Sequence, residues 1–183
     1  MLGQIASFLV HTVVTFFVFL LLLRFHFQWL RVPFRNPFGE FVLATTSWAV
    51  VPARRVIPGL RGLDLPTLLL AWLAQAIGLW LQHWIRASEP ALAALIVAAA
   101  MDVLRYSLYI LMGAVIIQVV FSWMNPYTPV APLLDAITRP FLRPLRRFVR
   151  PIGNIDLTPL VLVIVLQVIL IVIGYLRPAT IAL

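Results

Sequence analysis

Two adjacent guanidinium groups with a carboxylate a short way downstream are the most chemically pointed feature of this chain, and they occur twice. Pro52, Arg54, Arg55 and Asp64 form the first set, and Pro144, Arg146, Arg147 and Asp156 the second, at the same spacing. Paired guanidiniums offer forked donors that match phosphate or carboxylate oxygens. Arg143 and Arg150 flank the second set, so Arg54, Arg55, Arg143, Arg146, Arg147 and Arg150 are the candidate groups for anionic lipid or acidic partners. The same residues also serve plain topology, with arginines fixing one side of a membrane and Asp64 and Asp156 capping the helices that follow. Both explanations stand at this level.

Catalytic chemistry finds little to use. Three histidines and six acidic residues are dispersed without metal-ligand spacing, nucleophile–base pairing or a glycine-rich phosphate loop. With no cysteine, disulfides and thiolate chemistry are excluded. The reading is therefore of a non-enzyme that carries no cofactor or metal. The formal charge of +8 would suit nucleic acid, but the arginines lie beside apolar segments, where lipid phosphate is the nearer anion.

The elements that position these groups follow from composition. At 63% apolar and 11% charged residues, the chain is far outside the range of soluble domains, where about a quarter of residues are charged. Ile5 to Leu23 is almost unbroken apolar sequence, about 28 Å as helix, enough for a hydrocarbon core of roughly 30 Å. It has no basic n-region or small-residue cleavage site, so it reads as a retained span. Further spans are expected at about 65–81, 104–124 and 158–176. Residues 91–103 are either a separate interfacial helix or the start of the third span.

Between spans lie amphipathic stretches. Phe38, Phe41, Val42, Trp48 and Val51 recur at helical spacing, in a short interfacial helix expected to break at Pro52 and Pro58. Leu133, Leu134, Ile137, Phe141 and Leu145 repeat the pattern against Asp135, Arg139 and Arg143, with a kink or break at Pro140 and Pro144. Asn36-Pro37 and Asn125-Pro126 mark turns before each stretch.

A shift of 92 residues superposes Pro52 on Pro144, Arg54 on Arg146, Asp64 on Asp156 and Gln75 on Gln167. The fold expected is an all-α membrane protein with four transmembrane helices as two parallel repeats. Each repeat is helix, Arg-rich amphipathic segment, helix, over 1–87 and 104–183, with 88–103 between them. Ten of the fourteen basic residues, all arginine, fall in the two amphipathic connections. By the positive-inside rule these face the cytoplasm and both termini the periplasm, in a bacterial inner membrane. Gln75 with Gln167, and Gln28 with Gln118, read as inter-helix polar groups that need partners in lipid. Asp102 and Arg105 can pair on one helical face. His11 and His83 read as packed or interfacial.

The duplicated spans, Asn-Pro turns, Pro-x-Arg-Arg cores and Asp-Leu starts resemble the YggT family of bacterial membrane proteins, related to plastid YlmG proteins. One departure is FGEF after the first Asn-Pro region where the second has YTPV. The resemblance implies a small membrane protein without established enzymatic activity, linked in different lineages to osmotic tolerance, cell division, envelope organisation or membrane-complex assembly. A scaffold or assembly factor and an ion-flux component of osmotic stress are the two functions to weigh, with the bilayer, unidentified proteins and a second copy as partners.

Overall fold

A computed structural model describes residues 1–59, 62–124, 130–149 and 156–177, and in these it is helical. The helices are α1 (Leu2–Trp29), α2 (Pro37–Val56), α3 (Leu65–Ile85), α4 (Leu92–Met124), α5 (Ala131–Leu145) and α6 (Thr158–Leu176). Helices α1, α3, α4 and α6 are long and apolar enough to cross a membrane. The shorter α2 packs on α1 and α3, and α5 on α4 and α6.

Two spans are longer than their apolar cores. The first runs from Leu2 to Trp29 rather than over 5–23, because Arg24 and His26 find partners inside the bundle and need not end the helix at the hydrocarbon boundary. The third is one helix of 33 residues, Leu92–Met124, absorbing 92–103. Asp102 sits inside it, paired with Arg177 at the end of α6 and with Arg105 of α4 itself.

The amphipathic stretches also differ from expectation. Helix α2 continues through Pro52 to Val56: the missing N–H falls in its last turns, where only a few residues remain to be held. Its buried face is Gly39, Val42, Thr46 and Val50, whereas Phe38, Phe41, Trp48 and Val51 point outward. Helix α5 likewise stays whole across Pro140 and Pro144. Its face of Leu133, Leu134, Ile137 and Leu142 is covered by protein, joining Phe27, Leu111, Val115, Leu162 and Leu166 in one core.

Asn36 starts α2 as a cap, its Oδ1 accepting the Gly39 N–H at 2.8 Å, with Pro37 in the first turn. Gly39 is required there, since a Cβ would stand 2.6 Å from the Phe34 carbonyl oxygen. Helices α1 and α3 make the most intimate contact of the bundle. Gly78 permits it, because a Cβ at that position would come within 2.6 Å of Val14 Cγ1. A second core, Val18, Leu21, Leu22, Val50, Ala71, Val103 and Ile110, fills the middle between α1, α2, α3 and α4.

Candidate functional site

Polar groups collect at both ends of the bundle. At the end carrying α2 and α5, Arg54 of α2 is tied down. Its Nε donates to Asp64 Oδ1 at 3.3 Å and its Nη2 to Gln28 Oε1 at 2.6 Å, with a further ion-pair contact to Asp64 Oδ2. Asp64 is 3% exposed and also accepts the Thr67 hydroxyl. Although it occupies the position before α3, its side chain takes no helix N–H, so it is an ion-pair partner rather than the expected cap. Burial pushes its carboxyl up, but hydrogen bonds from Arg54 and Thr67 and the charges of Arg54 and Arg24 outweigh that and hold it below the usual carboxylate range.

The second set repeats the pair in a more open setting. Arg146 Nε lies 3.1 Å from Asp156 Oδ2, and Asp156 Oδ1 accepts the Thr158 N–H at 2.9 Å. Asp156 therefore does satisfy an orphan donor at the start of α6. Slight burial raises its carboxyl; the Thr158 hydrogen bonds and the Arg146 charge more than offset this and lower it.

Arg24 and Thr46 carry part of this end and escaped the sequence reading. Arg24, 3% exposed, donates to Thr46 Oγ1 at 2.8 Å and Ser47 Oγ at 3.2 Å. Thr138 is buried like Thr46, and its hydroxyl lies 2.6 Å from Gln118 Oε1. The 92-residue shift places Thr46 on Thr138, a signal that was available beside the arginines.

Arg55, Arg143 and Arg147 are exposed and make no ion pair among the described residues. Around them stand Trp48 at 71% and Phe148 at 84% exposure. Pro52 and Pro144 lie within α2 and α5. Asn125, Pro126 and Arg150 fall outside the described residues.

The four glutamines do not bond to one another. Gln28 and Gln118 join α1 to α2 and α4 to α5 through Arg54 and Thr138, and Gln75 of α3 donates to Asp102 of α4 at 2.9 Å. Gln167 faces outward from α6 with no hydrogen-bond partner among the described residues, so the cross-axis pairing of Gln75 and Gln167 does not occur within the chain.

At the opposite end, where α1 begins and α3 and α6 finish, a cavity of about 1060 Å³ opens. Asp102, 3% exposed, is among the residues that line it. Arg177 Nη2 donates to Asp102 Oδ2 at 3.0 Å, and Arg105 Nη1 lies 3.7 Å from Oδ1. The nearer cation thus comes from the end of α6, and the local pair foreseen with Arg105 is the longer one. Arg86, Gln82 and His11 complete the polar wall, with Phe8, Leu79 and Ile85 between them.

The model of the CCB3/YggT family matches residues 3–85 and 97–177. "Uncharacterized protein YggT" of Escherichia coli K12 is 30% identical over 164 residues, covering 89% of this chain and 86% of its own. "Uncharacterized protein PA0392" of Pseudomonas aeruginosa is 32% identical over 172 residues, covering 92% and 87%. No solved structure matches the chain. With both halves matched by the family model and such relatives aligned over most of their length, the chain belongs to the CCB3/YggT family.

Proposed function

We infer that the chain is a non-catalytic scaffold or assembly factor of the bacterial inner membrane, whose α2 and α5 faces meet anionic lipid and dock protein partners. The observation that carries this is a division of labour among the arginines. Arg54 and Arg146 are each spent on an aspartate of the chain, buried Asp64 and half-open Asp156, at the starts of α3 and α6. Arg55, Arg143 and Arg147 are exposed and make no ion pair among the described residues, and Trp48 and Phe148 are exposed on the same helices or next to them. Rings and guanidiniums side by side suit the headgroup level. At about 1 kcal/mol per arginine near an anionic leaflet, three contribute a few kcal/mol before screening.

The charge asymmetry supports a cytoplasmic position for α2 and α5 and a periplasmic one for both termini. Envelope organisation, cell division or membrane-complex assembly are the settings such a face serves. Ion flux has less support, because the buried apolar layer of Val18, Leu21, Leu22, Ala71, Val103 and Ile110 lies between the two polar ends.

Crosslinking with mass spectrometry in native membranes tests the reading. Protein partners captured by the wild type are expected to be lost from Arg55→Gln/Arg143→Gln/Arg147→Gln at equal insertion. An unchanged partner set, or selective ion flux from the purified protein in liposomes, would overturn it.

A further inference from the structure

The cavity at the terminus-bearing end is independent of that basic face and carries a proposal of its own. Three guanidiniums line it, those of Arg86, Arg105 and Arg177, against one carboxylate, Asp102. Asp102 Oδ2 receives Gln75 and Arg177, and Oδ1 lies 3.7 Å from Arg105, so one carboxylate stands against three guanidiniums and a surplus of positive charge is left for something else. Among the described residues, Nε of both Arg105 and Arg177 lacks an acceptor. A guanidinium offers donors only, so the partner that satisfies this wall is one rich in acceptor oxygens.

One orphan has the opposite character. Gln75 is 2% exposed, lines the cavity, and its Oε1 has no donor among the described residues. A bare phosphate dianion offers it nothing, whereas a hydroxyl does. Phe8, Leu79 and Ile85 give the remaining wall an apolar character suited to carbon.

We propose that this cavity binds a glycerophosphate group, its phosphate oxygens on Arg86, Arg105 and Arg177 and a glycerol hydroxyl turned toward Gln75. The group is supplied either by a phospholipid headgroup or by a soluble glycerol phosphate, and both present the same chemistry. A cavity of about 1060 Å³ is large enough for the headgroup with part of its glycerol backbone.

The test uses the full chain in a neutral detergent and phosphate-free buffer, with fluorescently labelled phosphatidylglycerol read by anisotropy. One saturable site is expected, competed by unlabelled phosphatidylglycerol and not by phosphatidylcholine. Competition by glycerol 3-phosphate assigns the soluble source; competition by lipid alone assigns the bilayer. Arg86→Gln, which breaks no ion pair among the described residues, is expected to weaken binding about tenfold by removing a charge-assisted contact. Gln75→Leu is expected to weaken phosphatidylglycerol more than phosphatidic acid, which lacks the headgroup hydroxyls. Gln167→Leu, on the outward face of α6 and away from the cavity, leaves the site intact.

No saturable binding by the wild type would overturn the proposal. So would full affinity in Arg86→Gln and Gln75→Leu that remain helical and monodisperse, or a loss confined to Arg55→Gln/Arg147→Gln.

Discussion

Replacing Asp64 by Asn and Asp156 by Asn removes the same negative charge from the same kind of pair, yet the two should differ widely in cost. The side chain of Asp64 is 2% exposed and that of Arg54 40%, against 43% and 55% for Asp156 and Arg146. In Asp64→Asn, charge-assisted bonds to Arg54 weaken where water can only partly replace them, and Arg24, buried nearby, loses a compensating charge. Removing one partner of a fully buried pair costs about 3–5 kcal/mol; the half-open Arg54 reduces this to about 2–3 kcal/mol. Asp156→Asn keeps an oxygen for the Thr158 N–H and breaks an exposed pair, worth about 0–1 kcal/mol. The gap of about 2 kcal/mol is roughly thirtyfold in the unfolding equilibrium constant. Titration with a denaturing detergent in mixed micelles at pH 7, followed by far-ultraviolet circular dichroism, measures it. Equal losses, or a larger loss from Asp156→Asn, would refute the burial argument.

Acid should act through the same groups. Both carboxyls are held low, so their stabilisation is fully present above the unfolded value of about 3.9 and is lost as pH falls through the lower folded value. Stability from these pairs should be flat from about pH 5 to 8 and decline below about 4, and Asp64→Asn should blunt that decline in an acid titration. Gly78→Ala should destabilise the bundle by about 1–3 kcal/mol through overpacking on Val14, with recovery in Gly78→Ala/Val14→Ala measured in the same unfolding assay. Asn36→Ala should cost about 1 kcal/mol by leaving the Gly39 N–H without its acceptor, again by detergent titration. Single cysteines at Arg55 and Arg147 should label from one side of the membrane and a cysteine at Arg86 from the other; labelling of the first two from opposite sides would remove the common basic face.

The spans were legible in the sequence because lipid demands long apolar helices and arginine marks their ends. The basic segments between them were legible as helices but not in their orientation. Phe41 and Trp48 share a helical pattern with Val42, and in a bilayer both the protein-facing and the lipid-facing sides of a helix are apolar, so hydropathy does not say which side is inward. The tie between Asp102 and Arg177 was invisible for another reason. Seventy-five residues separate them, and Arg177 served equally well as an ordinary helix stop. Asp102 with Arg105 was readable only because three residues make a turn. Likewise the outward face of Gln167 could not be told from Gln75, its counterpart by spacing, since only the tertiary arrangement supplies one with an aspartate and leaves the other without.

Helix α4 raises a question of depth. Its 33 residues measure roughly 50 Å, while a bilayer interior of about 30 Å crossed at a tilt of 40° accommodates only about 39 Å. Some two turns of α4 must therefore stand proud of the hydrocarbon or thin it locally. Asp102 lies ten residues from the start of the helix, roughly 15 Å along it. Overhang at that end lifts the aspartate toward the water boundary, where keeping a charge costs far less than at mid-membrane.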